Sequence, residues 1–129
     1  MNSSIVTEVN HLQNINEVAF ALIQYARSLE PESDYVPEND RFVLRPANFV
    51  TFSVRWKKAN NITVSLRGNP NEFEKLPELL IQQDQNGYSL FRFEQVNQLF
   101  AAASYIRRAH ELFERGRQRR QTTPLTVER

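Results

Sequence analysis

The stretch Arg41–Arg67, RFVLRPANFVTFSVRWKKANNITVSLR, constrains this chain more than any other. From Val50 the residues alternate: Val50, Phe52, Val54 and Trp56 share one face, and Thr51, Ser53, Arg55 and Lys57 the other. After a polar break, Ile62, Val64 and Leu66 alternate with Thr63, Ser65 and Arg67. A period of two sustained this long specifies an antiparallel hairpin with one buried and one wet face. Parity narrows the register, because directly opposed residues project to the same side of a sheet. A two-residue turn at Ala59–Asn60 would turn one strand's apolar face to water. A three-residue loop, Ala59–Asn60–Asn61, pairs Lys58 with Ile62, Trp56 with Val64 and Val54 with Leu66, with Asn61 in the left-handed position. A five-residue loop is the alternative.

The rest of the chain supplies helices to cover that apolar face. Between residues 3 and 30, Ile5, Val9, Leu12, Ile15, Ala19, Leu22, Ala26 and Leu29 recur at threes and fours, which reads as helix. Asn14 followed by Glu17 resembles a capping box, so one helix and two segments broken near Gln13–Asn14 are both allowed. The Glu30–Pro31 step ends it. Glu94–Arg115 is a second helix, with Val96, Leu99, Phe100, Ala103, Ile106, Ala109, His110 and Phe113 inward and Gly116 as its C-cap. Pro31–Arg41, with two prolines and the acids Glu32, Asp34, Glu38 and Asp40, reads as a solvated loop that lacks the glycine and terminal ligand of a calcium loop. Phe42–Leu44 is a short first strand. Gly68–Pro70 is a turn, Asn71 caps a short helix over EFEKLPELLIQQ with Phe73, Leu76, Leu79 and Leu80 inward, and Pro77 kinks it. Asp84–Gly87 turns into a last strand, Tyr88–Phe93.

The fold expected is α+β: a three- or four-stranded, largely antiparallel sheet with the N- and C-terminal helices packed on its even-numbered face. There Phe52, Val54, Trp56, Val64 and Leu66 should meet Leu22, Ala26, Leu99, Phe100 and Ile106. The 129 residues suit one domain, over 1–116, followed by a flexible basic tail over 117–129.

Chemistry is sparse. The chain has no cysteine, and its two histidines, His11 and His110, both read as helix histidines packed beside apolar stripes. No zinc spacing arises, the three glycines form no phosphate loop, and Glu72, Glu74 and Glu78 read as helix surface. No catalytic residue, metal or cofactor is assigned. No apolar run approaches the roughly 20 residues of a membrane span, and the N-terminus lacks a signal-peptide pattern, so a cytoplasmic location is expected.

Charge is uneven although the net is +1. Residues 1–40 hold seven acids against Arg27, residues 41–104 eight basic against five acidic side chains, and residues 105–129 seven against three. The odd-numbered sheet face gathers Arg41, Arg45, Arg55, Lys57 and Arg67 among Thr51, Ser53, Thr63 and Ser65, a donor-rich surface suited to phosphate or carboxylate. Arg117, Arg119 and Arg120 add a secondary basic site in the tail. A binding module for nucleic acid or another anionic partner is therefore the functional expectation. A protein-interaction or dimerisation module, accessory to an enzyme, is the alternative.

The order of elements also resembles a small bacterial α+β domain of unknown function, found alone or fused to restriction-endonuclease-like and other DNA-metabolism proteins. The resemblance is carried by the helix ending at Leu29–Glu30–Pro31, PANFVTFSV (46–54), NITVSL (61–66) and QVNQLFAAASYIRRAHELF (95–113). It implies a binding or accessory role in nucleic-acid-directed defence or repair, and it carries over no site residues.

Overall fold

The computed structural model describes residues 3–127, and side chains over residues 5–120. Its elements, in chain order, are α1 (Ser3–Val9), α2 (Asn16–Ser28), β1 (Asp34–Glu38), β2 (Arg41–Arg45), β3 (Val50–Arg55), β4 (Asn61–Arg67), β5 (Gln82–Gln83), β6 (Tyr88–Phe93) and α3 (Leu99–Val127). The class is α+β as expected, but the sheet has six strands, ordered β1-β2-β3-β4-β6-β5, with every neighbouring pair antiparallel.

The two extra strands come from stretches expected to be loop and helix. Asn39 and Asp40 both adopt left-handed backbone, φ 48° and 61°. Two such residues make the tight turn whose twist matches paired strands. The acidic stretch before them is thereby folded onto β2, with Glu38 opposite Arg41 and Asp34 opposite Arg45. The expected helix over 71–83 is absent. Only Pro70–Glu72 forms a 3-10 turn, and Gln82–Gln83 joins β6 as a short edge strand. Tyr105 on α3 holds the intervening loop: its hydroxyl accepts from the Leu76 amide at 3.1 Å and donates to the Leu79 carbonyl at 2.8 Å. Phe73, Leu79 and Ile81 are buried by that arrangement, whereas Leu80, expected inward, is 72% exposed.

In the hairpin the parity argument holds and the three-residue loop does not. Val50 pairs with Leu66, Phe52 with Val64 and Val54 with Ile62, which leaves the five residues 56–60 as the loop. Two tertiary contacts account for the longer loop. Trp56 leaves the ladder to stack on His11, ring centroids 4.1 Å apart, and donates its indole N–H to Glu8 at 2.9 Å. Asn60, rather than Asn61, takes the left-handed position (φ 51°), and its amide bonds both the N–H and the carbonyl of Gln13.

The even-numbered face does form the core. Phe52, Ile62, Val64, Phe91 and Phe93 are fully buried, with Leu22, Ala26 and Ile106 above them. Tyr35 packs edge-on against Phe52 and donates its hydroxyl to the Ile23 carbonyl on α2 at 2.5 Å. Burial pushes its phenol well above the ordinary range. The N-terminal helix is broken, as one of the two readings allowed, at residues 10–15, where Asn14 is left-handed (φ 69°) and provides no side-chain cap. Three expectations for the C-terminal helix fail, the first being Val96, expected inward but 54% exposed and placed before α3 begins at Leu99. Phe100 lies outside the core at 77% exposure, because Ala101, Ala102, Tyr105, Ala109 and Phe113 form the buried stripe. Gly116 does not end the helix, which continues to Val127 and so runs through most of the expected tail. The side chains of 121–129, where that tail continues, lie outside the described residues.

Candidate anion-binding face

The odd-numbered face is turned away from the helices. Its residues lie in cross-strand rows set by the register, and the rows at its two ends differ.

At one end Arg45 is opposite Asp34 on β1 and forks onto Glu38, with Nε and an NH2 group at 2.6 and 3.1 Å from the two carboxylate oxygens. That guanidinium holds Glu38 below the ordinary carboxylate range. β1 thus brings its acids alongside β2, on the same face as the expected donors. Arg67 is also engaged. It donates to Asn48 Oδ1 at 3.0 Å and lies over two rings, 5.8 Å from the Tyr88 centroid and 5.6 Å from that of Phe113. Its Nε is buried without a hydrogen-bond partner among the described residues. Arg45 and Arg67 are thus structural arginines, and a ligand would have to displace existing partners to use either.

The other end is open. Thr63 is opposite Ser53 on one side and Arg92 on the other. Continuing the β2–β3 register places Arg41 beside Ser53, and Arg55 sits one step further along, opposite Asn61. The row therefore runs Glu38, Arg41, Ser53, Thr63, Arg92, with Arg55 next to it, and Glu38 accepts its hydrogen bonds from Arg45 while its charge also acts on Arg41. All three arginines are exposed, and no ion pair engages any of them among the described residues. With strands about 4.8 Å apart, Arg41 and Arg92 are separated by roughly 14 Å across the sheet. Beyond this row an open groove is lined by Arg41, Ser53, Arg55, Lys57 and Lys58 and also by the acids Glu8, Glu38 and Asp40. Lys57 lies 5.4 Å from the Trp56 ring centroid. His11 covers a face of the same ring, so Trp56 walls the groove without offering a bare stacking surface.

Of the five sheet residues expected to bind, the structure brings Arg41, Arg55 and Lys57 together and sets Arg45 and Arg67 apart. Arg92 was missed. Its signal was the alternation Leu90, Arg92 against Ser89, Phe91, Phe93 in a strand already recognised. In the secondary basic site, Arg119 and Arg120 are exposed on α3, but Arg117 is tied down. It donates to both carboxylate oxygens of Glu30, at 3.0 and 3.4 Å, and also bonds Glu114.

That bond belongs to a second cluster, where α3 crosses the end of α2. The Glu30 carboxylate, 16% exposed, lies 2.6 Å from His110 Nε2. Burial works to raise the Glu30 pKa, but hydrogen bonds and charge from Arg117 and His110 outweigh it and hold the carboxyl below its ordinary value. Glu30, His110 and Glu114 offer ligand atoms within 4.8 Å of one another, a grouping that sequence spacing did not suggest. Arg117 already bonds both carboxylates, so a cation there would have to displace the guanidinium. The cluster functions as a clasp between two helices.

No family model, curated protein or solved structure matches the chain. No helix among the described residues is long and apolar enough to cross a membrane.

Proposed function

We propose that this protein binds the phosphate backbone of a nucleic acid, or an equivalent polyanion, on the open end of its outer sheet face. The observation that carries the reading is the row Arg41–Ser53–Thr63–Arg92 with Arg55 beside it, exposed cations that form no ion pair among the described residues, although Glu38 stands opposite Arg41 on β1. Guanidiniums present paired donors to phosphate oxygens, and adjacent hydroxyls extend the donor set. A rigid sheet holds these donors at fixed spacing and loses little entropy on binding. Glu38 and Asp40 limit the surface on the β1 side, so the ligand's path runs from Arg41 across β3 and β4 towards Arg92. Rings near the row are already engaged, Trp56 by His11 and Lys57 and Tyr88 by Arg67. Contact through phosphates, with little reading of base identity, follows from that.

The test is a fluorescence-anisotropy titration with single- and double-stranded oligonucleotides at several salt concentrations. Binding should weaken steeply with salt through counterion release. Replacing Arg41, Arg55 and Arg92 together with Gln should lower affinity and reduce the salt slope by about 2–3 units. Arg45→Gln, already neutralised in the fold, should change the slope by less than about one unit. Undetectable binding at low salt and micromolar protein would sink the reading. Binding that survives the triple substitution but is lost when Arg119 and Arg120 become Gln would move the site to α3.

A further inference from the structure

On the opposite side of the molecule, α3 carries an apolar side chain that the fold does not use. Phe100 is 77% exposed and Val96, four residues before it, 54% exposed. On a helix, Phe100 lies with Ala103, Ser104 and Arg107 on one stripe, facing away from the buried stripe of Ala102, Tyr105 and Ala109. A large aromatic ring exposed to this extent next to the exposed Val96 is what an interface presents, and scattered single exposures are not.

We infer that this face pairs with a second copy of the same chain, α3 against α3, antiparallel about a two-fold axis. The stripe is complementary to itself. Along it, bulky apolar residues (Val96, Phe100) come first, small ones (Ala103, Ser104) next, and the cation Arg107 last. Reversing one copy lays each Phe100 over the other's Ala103–Ser104, where a small surface lets two helices approach closely. The same reversal carries each Arg107 to the other copy's helix start, where Glu94 is exposed. Arg107 and Glu94 have no ion-pair partner among the described residues of their own chain. An isologous contact satisfies both twice over. A heterologous partner would need to supply this same order of bulk, small surface and opposed charge. The pairing leaves both outer sheet faces open, so it neither requires nor excludes the polyanion site.

Sedimentation equilibrium on the full chain, from micromolar to submillimolar concentration, tests the inference. A monomer–dimer equilibrium is expected. Phe100→Asp should raise its dissociation constant by about tenfold or more, as for a central aromatic anchor. Because Phe100 is exposed, the variant should melt like the wild type. Arg107→Glu should also weaken the dimer, and adding Glu94→Arg should restore it, a rescue that does not pass through Phe100. A monomer at every concentration overturns the inference. So does a dimer indifferent to Phe100→Asp, or a charge exchange that fails to restore association.

Discussion

Arg67 and Arg55 project from neighbouring strands onto the same face of one sheet, yet one is part of the fold and the other is not. Arg67 lies between the rings of Tyr88 and Phe113 and bonds Asn48. Arg55 is exposed opposite Asn61. The difference lies in what crosses each end of the sheet. At the Arg67 end, α3 passes over the strand termini and brings Phe113 and Arg117, while β1 supplies Asp34 and Glu38 for Arg45. At the Arg55 end lie the 56–60 loop and an open groove whose lining includes Glu8, Glu38 and Asp40, none of them ion-paired with Arg55 among the described residues. Alternation tells which residues face outward. It does not tell which of them find partners there, and only an unpartnered cation is available to a ligand.

The comparison breaks first on stability. Arg67→Ala removes two ring contacts and a hydrogen bond and should destabilise by about 2 kcal/mol. Its unpartnered Nε offsets part of that gain, so Arg67→Met, which keeps the packing, should cost less. Arg55→Ala should stay within about 0.5 kcal/mol. Denaturant melts of the three variants measure this directly. Equal losses for Arg55→Ala and Arg67→Ala would erase the distinction between the two ends.

How far the sequence reached follows the same line. Where one pattern decides the outcome, it was legible: the buried even-numbered face, the α2 and α3 helices and the turns at Gly68 and Gly87, whereas the break near Asn14 was one of two readings left open. Where two long-range partners decide, it was not. Both odd-length loops keep apolar faces together, and the contacts of Trp56 with His11 and Glu8, 45 and 48 residues away, select the longer one. The EFEKLPELL segment has helical spacing, but Tyr105 takes two of its backbone groups and Pro77 cannot donate a helix bond. β1 was hidden by its prolines and acids, although Asn39–Asp40 is a turn signal readable without a structure. On the binding face, the side-chain types were legible and their availability was not. Arg45 and Arg67 looked like Arg41 and Arg55 until β1 and α3 were in place.

The clasp at Glu30 gives the next largest effect. Glu30→Gln should cost about 1–2 kcal/mol near neutral pH, since it leaves Arg117 and His110 facing a neutral amide in a mostly buried site. The pH dependence has a definite sign. Glu30 has a lowered carboxyl pKa in the fold, so its contribution is fully present above its ordinary value of 4.5. It is lost as pH falls from there through the lower folded value. The stability gap between wild type and Glu30→Gln should therefore narrow only on the acid side of the ordinary carboxylate range. A gap that is constant down through that range would show that the carboxylate charge does not stabilise the clasp.

The smallest effect has the sharpest sign, and it concerns Gly116, which decides whether α3 extends far enough for Arg117 to reach Glu30. As a C-cap, Gly116 would need left-handed backbone, and any side chain there would be strained. In the fold it lies inside α3, outside the left-handed region, and a Cβ added to it would meet only the tip of Arg120 at 3.6 Å, an ordinary contact. Glycine inside a helix is worse than alanine by about 0.5–1 kcal/mol, because it loses more backbone freedom on folding. Gly116→Ala should therefore stabilise the protein by up to about 1 kcal/mol. The Glu30–Arg117 contact should be strengthened with it. Thermal melts of Gly116→Ala, alone and combined with Glu30→Gln, separate the two contributions. Stabilisation in both backgrounds follows from helix propensity alone, and a larger gain when Glu30 is present shows that the continuing helix supports the clasp. Destabilisation by Gly116→Ala would mean that the helix ends at this glycine, and it would release Arg117 from its place in the closed end of the molecule.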